Sequence, residues 1–339
     1  MPDKVLIYSR LPKSLTQRFA GRFELLDSGG KPAHDMFAAE QIAQIRALIT
    51  AGGTPLGAAD MDRLPALRAI VCYGTGYDGV DLKAAAARNI AVAHSPGANA
   101  AAVADIALML MLASVRRLMV ADPYVRNGGW VGAKPSPLMK PPPSLAGCKV
   151  GVYGMGEIGR KIASRVAAFE TEIGYFNRTR YDDLPYQYFP GLDALAEWCT
   201  VLMIAVRASA ETTHVVNADL LKRLGPDGHI VNISRGSVID ERALLAALKD
   251  GTIAGAGLDV FETEPHAPDE LTSLPNVVLT PHIGGNTREA HVAMQACGLP
   301  GPLTDLGKRT DKFDQSRLHR RRQTSIELEE DAFPHQVGK

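Results

Sequence analysis

"VGVYGMGEIGRKIASRV", residues 150–166, is the stretch that decides the fold of this chain. A short apolar run, typical of a buried strand, leads into Gly154, Gly156 and Gly159 at GxGxxG spacing. Apolar residues then recur on one face of a helix. These are Ile158, Ile162 and Val166. In such a strand–turn–helix unit the first glycine makes the tight turn, the second leaves room for a pyrophosphate, and the third lets helix and strand pack closely.

The start of that helix would offer unpaired N–H groups and the positive end of its dipole to phosphates. We therefore predict a dinucleotide-binding turn. The residues expected at the cofactor are Gly154, Met155, Gly156, Glu157, Ile158 and Gly159. Because glycine occurs in many turns, a purely structural turn without a ligand is the alternative.

The end of the next strand, "EIGYF", predicts which dinucleotide binds. An acidic residue at this point usually holds the ribose 2′-OH of NAD. Here the chain has Asn177, Arg178 and Thr179, which begin 18 residues after Gly159. A carboxylate would repel a 2′-phosphate, whereas an arginine fork and a hydroxyl would bind it, so we predict NADP(H), with NAD(H) possible. The alternative is a solvated loop with incidental arginines, and Asp182 or Asp183 would serve a ribose only if the strand ended later.

The composition of the whole chain excludes several classes of protein. It has 339 residues, enough for two domains, and a formal net charge of zero, which gives no reason to expect nucleic acid or a membrane surface as partner. The four cysteines form no CxxC pair, so we expect neither a metal nor a disulfide framework. Neither a signal peptide nor a membrane-spanning run is expected, and the predicted location is cytoplasmic.

Nine short apolar runs alternate with alanine-rich helical stretches. They are "KVLIYS", "AIVCYG", "IAVAHS", "KVGVYG", "EIGYF", "TVLMIAV", "HIVNIS", "AGAGLDV" and "NVVLT". Near-continuous apolar strands separated by helices are typical of parallel sheets covered on both faces. The runs are too many for one small sheet, so the sequence predicts an α/β fold with two doubly wound parallel-sheet domains.

The junction between these domains is marked by a predicted long helix over residues 99–120, with Asn99 available as its cap, and by a proline-rich loop. The loop holds Pro135, Pro137, Pro141, Pro142 and Pro143. We predict a substrate domain over residues 1–98, a dinucleotide-binding domain over 99–285 and a return toward the substrate domain over 286–298. In residues 299–339, 15 of 41 residues are charged, and we expect a poorly ordered tail.

Three residues that can carry chemistry follow three predicted strands. Arg235 lies in "NISRGSVID", Glu264 in "GLDVFETEP" and His282 in "LTPHIGGNT". Ligands of open parallel sheets bind at the carboxyl ends of the strands. An arginine, a carboxylate and a histidine there can orient a 2-oxo acid and move a proton. Taken singly, they could be a surface ion pair, a solvated loop residue and a capping residue.

Together with "YGTGYDGVDL", "SPGANAAAVADIALMLML" and "VGVYGMGEIGRKIA", these stretches resemble the D-isomer-specific 2-hydroxyacid dehydrogenases. The match covers about residues 70–290 in the order of the family. The Asn-Arg-Thr stretch is similar to the NADPH-preferring glyoxylate/hydroxypyruvate reductase branch. The resemblance implies a Rossmann dinucleotide-binding domain inserted in a flavodoxin-like substrate domain, and a homodimer formed through the cofactor domain.

The resemblance also implies roles for single residues. Arg235 would bind the carboxylate and carbonyl oxygen of a small 2-oxo acid, His282 would donate a proton to the developing alkoxide, and Glu264 would orient His282. Backbone N–H groups of a loop would bind the carboxylate, and further residues would line the cofactor. The loop residues are Thr75, Gly76 and Tyr77, and the cofactor residues are Val206, Asp259 and Gly284. NADPH would supply the hydride, and the product would be a D-2-hydroxy acid.

Departures from the family pattern leave alternatives open. In "AVRASAETTH" an arginine, Arg207, enters the expected cofactor wall, Asp105 stands where the family usually has glutamate, and the chain ceases to resemble the family after about Gln295. Besides a reductase, we therefore consider a dinucleotide-sensing corepressor-like protein and a relative impaired by its atypical C-terminus. The sequence does not specify which 2-oxo acid is the substrate; hydroxypyruvate, glyoxylate and bulkier aryl or sugar 2-oxo acids stay open.

Overall fold

A computed structural model describes residues 2–19, 21–131 and 141–297. These residues divide into two compact units. The first comprises the chain up to Cys72 together with Gly79–Ala93, and the second comprises Tyr73–Asp78 and the described residues from His94 onward. The domain boundaries expected from the sequence stay predictions, and the predicted tail over 299–339 lies outside the described residues, as do Pro135 and Pro137.

The first unit is built on a five-stranded sheet. Its strands are β1 (Lys4–Ile7), β2 (Glu24–Asp27), β3 (Ile45–Ala51), β4 (Ala69–Tyr73) and β5 (Ala91–Ala93), and its connecting helices are α1 (Lys13–Phe19), α2 (Ala39–Ile42), α3 (Ala58–Asp62) and α4 (Leu82–Ala87). The strand order β2-β1-β3-β4-β5 is that of flavodoxin-like doubly wound sheets. Val5, Leu6 and Leu48 are fully buried because both faces of the sheet are covered.

The second unit contains a seven-stranded parallel sheet. Its strands are β6 (Lys149–Tyr153), β7 (Glu172–Phe176), β8 (Gln187–Tyr188), β9 (Val201–Ile204), β10 (His229–Asn232), β11 (Gly255–Leu258) and β12 (Val277–Leu279). Its helices are α5 (Ala100–Val115), α6 (Leu118–Arg126), α7 (Glu157–Val166), α8 (Leu192–Trp198), α9 (Ala218–Leu224), α10 (Glu241–Asp250), α11 (Asp269–Thr272) and α12 (Arg288–Cys297).

The order of this second sheet is β12-β11-β10-β9-β6-β7-β8, and each of its strand pairs runs parallel. Counted within the unit, β8 to β11 give the Rossmann order 3-2-1-4-5-6, with β12 added at the edge. The order reverses between β6 and β9, where open α/β sheets bind ligands at the carboxyl ends of their strands. The predicted fold class, two doubly wound parallel-sheet α/β domains, is confirmed.

Alternating residues of the central strands build a separate core on each face of the second sheet. Val150, Val152 and Met203 pack with residues of α5 and α7 on one face. Leu202 and Ile204 pack with residues of α8, α9 and α10 on the other. Because apolar residues are needed on both faces, the strands appear in the sequence as continuous apolar runs.

The structure corrects the predicted helix over residues 99–120. The helix α5 ends at Val115, Arg117 takes a left-handed conformation with φ of 53°, and a second helix, α6, begins at Leu118. Asn99 occupies the capping position but its side chain makes no capping bond. None of the helices in the described part of the chain is long and apolar enough to cross a membrane.

Candidate active site

The three glycines predicted to bind a dinucleotide form the turn between β6 and α7. Gly154 has φ of 98°, and a Cβ there would lie 2.7 Å from the backbone nitrogen of Val206. A Cβ at Gly159 would overlap the carbonyl oxygen of Gly154, so only glycine lets the helix approach the strand this closely. At Gly156, in contrast, a Cβ would meet no atom within 4 Å, which leaves open space at the start of α7. The geometry fits the approach of a pyrophosphate to this turn.

Hydrogen bonds of Asn177 connect the glycine turn to the loop that follows β7. Its Oδ1 accepts a bond from the N–H of Met155 at 3.4 Å, and its Nδ2 donates to the carbonyl of Thr179 at 3.0 Å. The neighbouring predicted residues Glu157 and Ile158 open α7, with Glu157 exposed and Ile158 half-buried. The site therefore joins two segments at the carboxyl ends of β6 and β7.

The charged groups in the loop after β7, and Arg160 of α7 beside it, differ in whether they have partners. Arg160 pairs with Asp183 at 2.9 Å, and Arg180 pairs with Asp182 at 3.1 Å. Arg178 and Thr179 are exposed, and Arg178 forms no ion pair with any described carboxylate. Arg178 lies close enough to Tyr153, at the end of β6, for its charge to oppose partly the burial that raises the pKa of that phenol. Because β7 ends at Phe176, neither aspartate takes the place expected of a ribose ligand.

His282 and Glu264, predicted as a catalytic pair, are in direct contact. The Nδ1 atom of His282 lies 2.6 Å from Oε2 of Glu264, whose Oε1 accepts the N–H of Phe261 at 3.1 Å. Burial raises the pKa of Glu264, but the hydrogen bond and charge of His282 outweigh it, aided by the Phe261 N–H and the charge of Arg235, and the net pKa is lowered. An ionised carboxylate only accepts, so Nδ1 carries a proton, and Nε2 makes no hydrogen bond to any described residue.

Asp259 shapes the loop that carries His282. This carboxylate is almost fully buried and accepts bonds from Thr280 Oγ1 at 2.6 Å and from the N–H groups of Ile283 and Gly284 at 2.8 Å. The backbone carbonyl of Asp259 accepts the N–H of His282 at 2.8 Å. His282 has φ of 52°, unusual for a residue with a side chain, and these bonds hold it there. Asp259 thus positions His282, and the cofactor contacts expected of Asp259 and Gly284 stay predictions.

Arg235 follows β10 and is held by a partner that the sequence analysis missed. Its Nε and Nη2 atoms donate to the two oxygens of Asp78 at 2.9 and 2.8 Å, and its Nη1 donates to the carbonyl of Ser234 at 2.7 Å. A guanidinium has five N–H groups. Three are used in these bonds, so one on each of Nη1 and Nη2 stays available for a ligand carboxylate.

The predicted substrate loop, Thr75 to Tyr77, lies against the same guanidinium. A Cβ at Gly76 would overlap Nη2 of Arg235, so a side chain at this position would displace the arginine. The hydroxyl of Thr75 donates to Oδ1 of Asn99 at 2.6 Å, so the Asn99 side chain, which makes no capping bond to α5, contacts this loop. The backbone N–H groups of Thr75, Gly76 and Tyr77 donate to no acceptor within the described residues. They are therefore available to an anion beside Arg235.

Two residues beside this loop were not predicted as site residues. Asp78 directly follows the predicted loop, and only its distant partner Arg235 shows its role. In the sequence, Arg207 is notable only because it departs from the family pattern. Its guanidinium lies over the ring of Tyr77, 4.4 Å from the centroid, and its Nη1 donates to the Tyr77 hydroxyl. Val206, just before it, accepts a bond from the Ser234 hydroxyl through its backbone carbonyl.

Comparison with known proteins gives the family of this chain. Residues 108–284 match the sequence model of the D-isomer specific 2-hydroxyacid dehydrogenase NAD binding domain. The chain is similar to a 2-ketogluconate reductase of Gluconobacter oxydans, with 43% identity over 74% of this chain and 79% of the relative. It is also similar to a hydroxyphenylpyruvate reductase of Plectranthus scutellarioides, with 37% identity over 86% of this chain and 91% of the relative.

Among solved structures, the chain resembles an NADPH-dependent glyoxylate/hydroxypyruvate reductase of Sinorhizobium meliloti in complex with NADP and malonate. The TM-score is 0.80 at 39% identity, over 87% of this chain and 91% of that one. The glycine turn, the paired histidine and glutamate and the arginine beside the substrate loop thus occur in a chain that belongs to the D-isomer specific 2-hydroxyacid dehydrogenase family.

Proposed function

We propose that this chain is an NADPH-dependent reductase that converts a small 2-oxo acid into the D-2-hydroxy acid. The observation that carries the proposal is the His282–Glu264 pair, with Nδ1 and Oε2 2.6 Å apart, in the electrostatic reach of Arg235. A histidine held in this way presents Nε2 as a proton donor, and the arginine supplies a fixed positive charge for the oxygen atoms of the substrate.

Arg235 and the substrate loop would bind the carboxylate of the 2-oxo acid. The two N–H groups that Arg235 has available lie on its terminal nitrogens, and Asp78 fixes the plane of the guanidinium from the other side. The N–H groups of Thr75, Gly76 and Tyr77 add donors that cost no side-chain ordering. Binding the carboxylate at both places would restrict the orientations open to the neighbouring carbonyl group.

NADPH, when bound, supplies the hydride that reduces the carbonyl carbon. As negative charge develops on the carbonyl oxygen, His282 donates the proton of Nε2 to it. Glu264 stays ionised because its pKa is lowered, and its negative charge stabilises the protonated imidazole before the transfer. Asp259 keeps the loop of His282 in place through its bonds to Ile283 and Gly284.

The preference for NADPH is supported by the loop after β7. Asn177 stands where a carboxylate would repel a 2′-phosphate, and Arg178 is an exposed cation without a described carboxylate partner. The Thr179 hydroxyl is exposed beside it. Arg160 and Arg180 are already paired with Asp183 and Asp182, so Arg178 is the arginine of this loop best able to bind the phosphate. NADH lacks this phosphate and is the weaker cofactor.

The relatives indicate the class of substrate. The Sinorhizobium protein is named for glyoxylate and hydroxypyruvate, the Gluconobacter protein for a sugar 2-oxo acid and the Plectranthus protein for an aryl one. All are 2-oxo acids, which agrees with a carboxylate site at Arg235. We propose glyoxylate and hydroxypyruvate as first substrates to test, because the Asn177–Thr179 loop resembles the branch that acts on them.

We further propose a homodimer that assembles through the cofactor domain in the cytoplasm. Support for the dimer is a set of exposed apolar side chains on and after α6, comprising Leu118, Met119, Val125, Trp130 and Val131. Support for a reducing compartment is that Cys148 and Cys199 are buried thiols. Light scattering of the protein, with Leu118→Glu as the variant expected to dissociate it, tests the dimer, and cell fractionation tests the location.

The enzyme is tested with a panel of 2-oxo acids and both cofactors. We expect oxidation of NADPH with glyoxylate or hydroxypyruvate, slower oxidation of NADH, and a product of D configuration on chiral chromatography. A chain that binds NADPH tightly but oxidises it with none of these acids would contradict the proposal. A corepressor-like protein would behave in that way and would capture a partner in an NADPH-dependent manner.

A further inference from the structure

Arg207 is a cation at the substrate loop that the mechanism does not use. It follows β9, its side chain is exposed, and its guanidinium stacks on the ring of Tyr77 at 4.4 Å while donating one bond to the hydroxyl of that tyrosine. Four of its five N–H groups are not used by this bond. No carboxylate in the described part of the chain pairs with it.

The surroundings of Tyr77 hold this arginine in place. The rings of His94 and Tyr77 form a T-shaped pair with centroids 4.7 Å apart. Tyr77 lies directly before Asp78 in the substrate loop. Burial lowers the pKa of His94, so this ring is neutral near neutral pH and adds no second charge. Stacking on tyrosine reduces the number of conformations open to Arg207, which lowers the entropic cost of binding an anion.

The loop therefore contacts two guanidinium groups through consecutive residues. Asp78 pairs with Arg235, which keeps two N–H groups for the carboxylate next to the reacting carbonyl. Tyr77 holds Arg207, which keeps its full charge available to a ligand. The carboxylate of Asp78 offsets the charge of one arginine, and no carboxylate among the described residues offsets the charge of the other.

We propose that Arg207 is a specificity-determining residue that binds a second, distal carboxylate of the substrate, so that 2-oxo dicarboxylic acids are favoured over 2-oxo monocarboxylic acids. The inference rests on the proposed 2-oxo acid reductase function. The first carboxylate is bound at Arg235 and the loop N–H groups, and the distal one reaches past Tyr77 to Arg207. A fork of N–H groups binds a carboxylate through two parallel bonds, which a neutral distal group cannot match.

The experiment compares oxaloacetate with glyoxylate, which lacks a distal group, in the full-length protein with saturating NADPH. The variants are Arg207→Ala, Arg207→Lys and the control Arg116→Ala. Arg116 is also exposed and lacks a described carboxylate partner, but it caps the far end of α5, about 24 Å from the Asn99 end of that helix. The readout is the ratio of kcat/KM for oxaloacetate to kcat/KM for glyoxylate.

We expect Arg207→Ala to lower this ratio by about 10- to 100-fold, mainly through KM for oxaloacetate. Arg207→Lys, which keeps the charge but not the fork, should retain part of the ratio, and Arg116→Ala should not change it. Circular dichroism and the Kd for NADPH check the folding of each variant and its cofactor site.

Four results would overturn the proposal. An equal loss of kcat/KM for both acids would show that Arg207 only supports Tyr77. A rise in the Kd for NADPH as large as the loss of activity would assign Arg207 to the cofactor instead. If Arg207→Ala left the ratio unchanged while glyoxylate was still reduced, the dicarboxylate site would be removed but the proposed reductase would stand. A wild-type chain that reduced neither acid would contradict both the dicarboxylate site and the proposed reductase function.

Discussion

Two parts of the second unit are built in different ways. The cofactor half comprises the glycine turn and the loop after β7, and the substrate half comprises Thr75–Asp78 with Arg235, Glu264 and His282. At the glycine turn, Gly154, Gly156 and Gly159 act through the side chains they lack. Gly154 and Gly159 closely approach backbone atoms of the segment after β9 or of their own turn, whereas Gly156 leaves open space. In the substrate half the working groups are side chains whose partners are distant in sequence: Asp78 lies 157 residues from Arg235.

This difference predicts how each half responds to mutation. The glycine turn depends on close backbone packing, so added atoms should disturb folding or cofactor binding. The substrate half depends on charges placed by separate loops, and its side chains are partly exposed, so their loss should change chemistry with little effect on the fold. Four substitutions or pairs of substitutions test this contrast, from the largest expected effect to the smallest.

The largest effect is expected from His282→Ala. The variant loses the group proposed to protonate the alkoxide, and kcat should fall on the order of 10²–10⁴-fold. The Kd for NADPH should change little, because the backbone bonds of residue 282 to Asp259 stay possible. The melting temperature should fall only by the contribution of the pair with Glu264. Steady-state kinetics, NADPH fluorescence titration and thermal unfolding measure these three quantities. Turnover within a few-fold of wild type would show that another group donates the proton.

The second prediction compares two glycine variants of the cofactor half. In Gly159→Ala the new Cβ overlaps the carbonyl of Gly154, so the free energy of unfolding should fall by about 1–3 kcal/mol. In Gly156→Ala the new Cβ meets no protein atom within 4 Å, so stability should be nearly unchanged while the Kd for NADPH rises about tenfold or more, equivalent to about 1.4 kcal/mol. Urea unfolding and NADPH titration distinguish them, and equal stability losses would contradict the assigned roles.

The third prediction concerns the loop after β7. The double variant Asn177→Asp with Arg178→Ala places a carboxylate where a 2′-phosphate is expected and removes the unpaired arginine. The ratio of kcat/KM with NADPH to kcat/KM with NADH should fall by about tenfold or more. This is the effect expected from losing one charge-assisted hydrogen bond to the 2′-phosphate. Arg180→Ala is the matched control, because Arg180 is already paired with Asp182. A wild-type ratio near one would show that this loop does not select the cofactor.

The sequence predicts the local features of this molecule well. The glycine turn can be found from spacing because each glycine satisfies a requirement of its own turn. Strands buried on both faces are recognisable as apolar runs, whereas β2, β3 and β8 are missed. β2 has an acidic residue at each end, and β8 has only two residues. The break after Val115 is missed because the left-handed turn is made by Arg117 and no glycine marks it.

The site is predicted less completely because its contacts are long-range. Arg235, Glu264 and His282 can be found from their places after strands, and the structure shows the predicted bond between the last two. The partner of Arg235 could not be derived, since nothing near Asp78 in the sequence indicates an arginine from another loop. The same is true of Arg207, whose contact with Tyr77 spans 130 residues.

The smallest effect is expected from Glu264→Gln, which changes a charge but keeps the shape of the side chain. Reduction requires protonated His282, and the ionised carboxylate stabilises that form. Glutamine removes this charge, and the basic limb of the kcat/KM profile should move about one pH unit toward acid. The pKa of Glu264 is lowered in the folded chain, so its pair with His282 stabilises the fold at pH values above the ordinary pKa of glutamate. This stabilisation is lost as the pH falls through the lowered pKa. Melting temperatures of wild type and variant should therefore converge at acid pH.

Glu262→Gln is the matched control, since Glu262 pairs with His214, and its pH profile should follow that of wild type. A basic limb that stays in place in Glu264→Gln would mean that Glu264 only orients the ring, and that its charge has no part in the pH dependence of the reaction.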